Sequence, residues 1–287
     1  MLVENKTFAE SYSDLIRLFH NYPLLSSIKC RGQSVSHEFT NIQLLFNVSE
    51  GISIYSSSNS RAIPIVFVLA EWLWINSADN SVANISRFNK AMEHFSDDGV
   101  ILNGAYGPRI FPLIFRALQK IKDDLHTRQA YIPIFQPADQ GSDSKDIPCN
   151  TSLQFLRRDD ILDLIVTSRS SDFITGLPID AIHWQILLTL VRNYLGDPIK
   201  VGRVFYNLAS LHIYEKDREQ FEKWDPTIGE HTWKLPRYCN LDYFNRPLDL
   251  VNTFEDLLSI YVQRPEDAIL FRRLEGIFQN RKFKVRR

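Results

Sequence analysis

Residues 148–180 read PCNTSLQFLRRDDILDLIVTSRSSDFITGLPID. Leu153–Arg157 and Ile161–Ser168 are short runs rich in apolar and β-branched residues, and Arg158-Asp159-Asp160 between them supplies turn chemistry, so the spacing predicts a pair of strands. A polar loop punctuated by Gly and Pro, residues 136–146 (QPADQGSDSKD), ends just before Ile147-Pro148-Cys149 and places Cys149 at or near the start of the strand Ser152–Phe155. Downstream, Pro178 opens a helical run over Ile179–Leu195 whose apolar stripe of Ile182, Ile186, Leu187, Leu190, Val191 and Tyr194 is closed by Gly196. Val201–Tyr214 then reads as a further strand.

Ala62–Ile75 and Ile110–Leu125 are predicted helices, and Leu248–Phe283 is predicted to be helical with a basic tip. Strands interleaved with long helices argue for an α/β or α+β chain. No internal repeat or long linker divides it, so a single domain over 1–287 is expected, with a divergent helical segment from about residue 240.

Bulk composition narrows the classes. Lys and Arg total 33 against 34 for Asp and Glu, so no basic excess exists to hold long nucleic acid by counterion release. No apolar run approaches the roughly 18 residues that a membrane span needs. The opening MLVENKTFAESYSD is acidic where a secretory signal would be basic, and a cytoplasmic location is expected. Cys30, Cys149 and Cys239 are an odd count at wide spacing, which fits neither a disulfide framework nor a zinc site; no metal is expected.

Taken singly, the polar residues of these segments have plain readings. Cys149 could be a buried cysteine opening a strand, Arg169-Ser170-Ser171-Asp172 a capped turn, and His212-Ile213-Tyr214 ordinary strand alternation. Glu71 is harder to dismiss, because an ionisable group on an apolar helix is rarely buried unless paired. Their joint order carries more. Pro148-Cys149 with Gln154-Phe155, then Arg169-Ser170-Ser171-Asp172, Gly176-Leu177-Pro178 and His212-Ile213-Tyr214 resemble the thymidylate synthase superfamily. Weaker similarity reaches Arg31-Gly32, Glu71 and Trp74 in EWLW, and the glycine-tyrosine-glycine loop Asn103-Gly104-Ala105-Tyr106-Gly107.

That resemblance implies a three-layer fold with a large mixed sheet flanked by helices, paired in a homodimer with shared active sites. Cys149 would be the nucleophile that adds to C6 of a pyrimidine nucleoside monophosphate, and a guanidinium beside it, from Arg169, would favour the thiolate. Arg31, Arg169, Ser170 and Arg128 of the partner subunit would clamp the phosphate; Arg128 is followed by Gln129, where the family has a second arginine. His212 and Tyr214 would bind the sugar 3′-hydroxyl, Gln154 would support the pocket, and Glu71 and Tyr106 would act in the chemistry, Glu71 as the carboxyl that manages protons. The cosubstrate would be 5,10-methylenetetrahydrofolate, with Trp74, Asp172 and Gly176 on its side. The family's other folate tryptophans and its short closing tail are not evident.

The residue four after Gly176 distinguishes the branches. Uracil-specific members carry asparagine there; Asp180 here matches cytosine, because a carboxyl accepts from the C4 amino group and shares a proton with N3. Its plainer reading is a favourable charge in the first turn of a helix. Asp180, with His37-Glu38 and the Asn-Gly-Ala-Tyr-Gly loop, resembles the cytidylate 5-hydroxymethylase branch, so dCMP or CMP is the expected substrate. The alternatives are a dUMP-methylating synthase and a non-catalytic nucleotide- or RNA-binding homologue.

Overall fold

Alternation along Ile161–Ser168 decides the layering: Leu162, Leu164 and Val166 are fully buried, while Asp163, Ile165 and Thr167 between them are half-exposed. A strand with this pattern lies in a sheet covered well on one face only. The computed structural model describes residues 6–21, 28–30, 33–56, 63–227 and 229–235. In chain order the helices are α1 (Phe8–His20), α2 (Ile65–Asn76), α3 (Val82–Ile85), α4 (Gly107–Asp123), α5 (Gly176–Leu195) and α6 (Glu215–Phe221). The strands are β1 (Ile28–Cys30), β2 (Gln33–Asn47), β3 (Ile52–Ser56), β4 (Tyr131–Pro133), β5 (Asn150–Arg158), β6 (Ile161–Ser168), β7 (Ser171–Asp172), β8 (Lys200–Tyr214) and β9 (Gly229–Trp233).

Among the described residues seven strands form a mixed sheet in the order β1-β2-β8-β6-β5-β4, with β7 added beside β8; β3 and β9 make a separate pair. The β5–β6 hairpin turns at Asp159, whose φ of 53° is a conformation that Asp tolerates. β6 and β8 run parallel, and so need the long crossover through β7 and α5.

The expected helix over Ala62–Ile75 begins at Ile65, with Ala62 outside the described residues; that over Ile110–Leu125 starts earlier, at Gly107, and Pro108 occupies its first turn. The third expected helix likewise starts early, at Gly176 rather than Ile179, with Pro178 inside its first turn. The loop 136–146 contains a short 3₁₀ turn, Pro137–Asp139. It is tied down by a buried fork: Arg109 donates to both carboxylate oxygens of Asp139, to the Ile134 carbonyl at 2.8 Å and to the Asn103 carbonyl at 2.6 Å. The expected C-terminal helix over Leu248–Phe283 lies outside the described residues.

In the core α5 packs against β6 and β8 of the sheet and α2 packs on α4 and α5, with Trp72, Trp184, Phe155, Phe173 and Tyr206 buried. Helix α2 is apolar all round, and every residue in it is buried except Glu71. No helix of the described residues is long and apolar enough to cross a membrane.

Candidate active site

Cys149 sits immediately before β5, where a register shift between Asn150 and Ser152 interrupts pairing with β6. A bulge at a strand end redirects the neighbouring side chains. Cys149 is half-exposed and Asn150 is wholly buried. The next strand returns Arg169 to the same place: its backbone N–H donates to the Cys149 carbonyl at 2.9 Å, and its guanidinium donates to the Pro148 and Ile147 carbonyls at 3.1 and 2.9 Å. Its Nη2 thereby stands 3.9 Å from Cys149 Sγ, a positive charge against the sulfur. Ser168, fully buried, donates to the Cys149 carbonyl at 3.0 Å and completes the cradle.

A buried polar network adjoins the sulfur. Asn150 Nδ2 donates to Tyr106 Oη and to Asp180 Oδ2, both at 2.8 Å. Tyr206 Oη donates to Asn150 Oδ1 at 2.7 Å and lies 3.1 Å from the same Asp180 oxygen. Burial pushes Asp180 up to about 6, against the hydrogen bonds from Asn150 and Tyr206, which lower it. Both tyrosines are raised well above their ordinary range by burial and then by the Asp180 charge, and both feel Cys149, so the set is one electrostatic unit.

Glycine explains how Tyr106 reaches this unit. A Cβ on Gly107 would collide with the Ile75 carbonyl oxygen, and one on Gly104 would stand 2.8 Å from the Asp146 carbonyl. Gly104 N–H also donates to Asp146 Oδ2 at 2.6 Å. The loop thus docks between the end of α2 and the segment leading to Cys149 only because two side chains are missing. From α2, Glu71 joins the same cluster. Burial, then the charges of Asp180 and Asp146, push its carboxyl up to about 8.

A second cluster lies where β7 meets β8. Asp172 pairs with His212 in register, and Glu38 faces His212 from β2. His212 is buried with its ring centroid 4.7 Å from that of Tyr214, and burial lowers its pKa while Asp172 and Glu38 raise it. Asp172 also accepts from the Ile174 N–H at 2.9 Å and from the Thr175 hydroxyl, fixing the approach to Gly176 at the start of α5. Ser170 is half-exposed between the two clusters in sequence.

Not all the expected residues converge. Gln154 donates to the Arg128 carbonyl at 2.8 Å, and the exposed Arg128 forms no described contact with Cys149 of its own chain. Trp74 is 6% exposed and donates to the Ser81 carbonyl at 3.2 Å, so its indole belongs to the core rather than to an open folate surface. Arg31 lies outside the described residues. Sequence reading missed Asn150, Tyr206, Asp146 and His183. Asn150, adjoining Cys149, was the one with a positional signal.

Among the described residues no group of His, Cys, Asp or Glu is arranged to hold a metal ion. A cavity of about 670 Å³ opens near Lys200, Gly202 and Arg203, at the other end of β8 from His212, and none of the Cys149 set lines it.

Comparison with known proteins agrees with the geometry. The thymidylate synthase family profile matches residues 26–236. The chain is 35% identical over 217 residues to the deoxyuridylate hydroxymethyltransferase of Bacillus phage SP01, covering 69% of this chain and 54% of that protein. It is 35% identical over 160 residues to the enzyme of the same name from Pseudomonas phage M6, covering 52% and 44% respectively. Against the thymidylate synthase of Mycoplasma genitalium the identity is 25% over 220 residues, 71% of each chain. The chain spans about half the length of the two phage relatives. The profile takes in both clusters and the whole mixed sheet that carries them, and the chain therefore belongs to the thymidylate synthase family.

Proposed function

We propose that this protein transfers a one-carbon unit to C5 of a cytidine monophosphate, dCMP or CMP, and releases a 5-hydroxymethyl product. The observation that carries the reading is the placement of Asp180 in one hydrogen-bonded unit with Tyr106 and Asn150, beside Cys149. Cys149 thiolate adds to C6 of the base and makes C5 nucleophilic; once C5 has bonded the one-carbon unit and lost its proton, with the donor's nitrogen as leaving group, water adds to the exocyclic methylene and the thiolate is expelled from C6. Arg169 stabilises the sulfur's charge before attack. Asp180, titrating near 6, is mostly ionised at neutral pH and accepts from the C4 amino group of cytosine. Glu71, titrating near 8, is a neutral acid at the same pH and can donate or take back a proton through its carboxyl.

5,10-Methylenetetrahydrofolate supplies the one-carbon unit when bound. The half-exposed Asp172 and Gly176 at the start of α5 are the residues that would meet it; Trp74, enclosed in the core, would act only as support. Hydroxymethylation is supported by the names of the two phage relatives.

The assembly that fits is a homodimer joined through the open face of the sheet. Gln154, Ile165 and Phe205 lie side by side there by register, half-exposed, on β5, β6 and β8. Arg128, tethered through Gln154 to that face, would then reach the phosphate site of the second subunit.

A second reading keeps the chemistry but takes dUMP, as the names of the phage relatives describe; protonated Asp180 would then donate to O4 and accept from N3–H. Release of tritium from C5-labelled dCMP, CMP and dUMP, with the folate donor and a Cys149→Ala control, separates the two. Cys149-dependent release from a cytidylate is expected; release from dUMP alone would establish the second reading.

A further inference from the structure

We propose that Asn150 is a specificity-determining positioning residue that fixes which oxygen of Asp180 reads the pyrimidine base. The inference rests on the reading of Asp180 as the base-recognising group. Asn150 is wholly buried and uses its whole amide: two Nδ2 hydrogens go to Tyr106 Oη and Asp180 Oδ2, and Oδ1 accepts from Tyr206. The amide orientation follows from charge, since the flipped form would set Oδ1 against the Asp180 carboxylate. Tyr206 shares its one proton between Asn150 Oδ1 at 2.7 Å and Asp180 Oδ2 at 3.1 Å.

Every described hydrogen bond to the Asp180 carboxylate therefore falls on Oδ2, leaving Oδ1 as the oxygen that meets a ligand. A carboxylate with one oxygen tied to an amide donor must break that bond to exchange its two oxygens, and its free oxygen presents an acceptor. That edge suits an amino group at C4 and opposes a carbonyl there. Without Asn150 the carboxyl would be free to rotate and to protonate on either oxygen, and so could offer an acceptor or a donor. Discrimination between the two bases is then what the amide protects, whichever base is preferred. The same amide also holds Tyr106 Oη as an acceptor, so the tyrosine's own proton is left to point elsewhere in the site.

The test is the ratio of Kd values for dUMP and dCMP, measured by calorimetry on the intact protein and on Asn150→Ala and Tyr206→Phe, with C5 tritium release followed in parallel. Wild type is expected to favour one base at least tenfold; Asn150→Ala should bring the ratio to within about threefold of one, and Tyr206→Phe, which removes a single hydroxyl, should move it part of the way. A ratio unchanged in Asn150→Ala, with both affinities weakened together, would show a merely structural residue and overturn the proposal. If Asn150→Ala does not fold, an unchanged ratio in Tyr206→Phe overturns it equally. A wild-type preference for dUMP, or binding without C5 release, contradicts the substrate reading above while leaving the collapse of the ratio to decide the role of Asn150; binding of neither nucleotide overturns both.

Discussion

Glu71 Oε2 lies 4.0 Å from His183 Nε2 in the core, yet the two do not form an ion pair at neutral pH. Burial pushes Glu71 up to about 8 and His183 down to about 4, so both are neutral. His183 instead directs Nε2 to the Val68 carbonyl at 2.9 Å, which fixes the ring proton on that nitrogen. An uncharged imidazole leaves the carboxylic acid uncharged too, and the site holds a proton ready rather than a charge.

Stability should record this. The folded-state pKa of Glu71 stands above its ordinary 4.5, so its favourable contribution is complete below pH 4.5 and is lost as pH rises through about 8. Glu71→Gln is expected to melt several degrees higher than wild type at pH 8.5 and at nearly the same temperature at pH 4.5, while C5 tritium release falls by roughly 100-fold. Equal melting temperatures at pH 8.5 would contradict a buried neutral acid.

Asp180→Asn should exchange the acceptor edge for an amide and shift preference from dCMP toward dUMP by about 100-fold in kcat/KM. Wild-type turnover of a cytidylate should also fall as pH drops through about 6, where Asp180 takes up a proton, and that acid limb should be missing from the variant's profile. An unaltered profile would remove Asp180 from base recognition.

Arg109→Ala strands the Asp139 carboxylate, a group only 8% exposed, and should cost about 3–5 kcal/mol, read as a melting temperature lowered by roughly 10 °C. The Arg109 hydrogen bonds hold Asp139 below its ordinary 3.8, so this stabilisation is present above pH 3.8 and disappears as pH falls through the lower folded value. Asp139→Asn should therefore lose less stability than wild type between pH 5 and 3 in urea titrations.

Arg128→Ala and Cys149→Ala proteins, each inactive alone, should recover up to about a quarter of wild-type activity when unfolded and refolded together, because a mixed dimer holds one site with both residues intact. No recovery, with mixed dimers demonstrated by mass, would exclude a site shared between subunits.

The helix-period stripe of α5, the β5–β6 hairpin and β8 were legible because each follows one rule over many residues. β2 was not, although it is as long as β8: its sequence, QSVSHEFTNIQLLFN, mixes polar and apolar residues, carries Asn41 at φ 55° and shifts register between Val35 and His37. Its pairing with β8 along nearly its whole length supplies what local preference does not. In the site, Cys149, Arg169 and Asp180 stood out by order and spacing. Asn150 had only its place beside Cys149 to mark it and Tyr206 nothing, since an asparagine at a strand start and a tyrosine at an inward strand position have ordinary uses, and only the fold brings both to one carboxylate. Trp74 and Glu71 share the motif EWLW yet lie in different surroundings on α2: the Trp74 indole is enclosed and donates to the Ser81 carbonyl, a difference that only the fold shows.

The contact between Gly107 and the Ile75 carbonyl has an evolutionary consequence. It couples the helix that carries Glu71 to the loop that carries Tyr106 at van der Waals distance, so a displacement of one drags the other. Drift in substrate range is then channelled away from the reacting end of the base, where any adjustment must satisfy two functions at once.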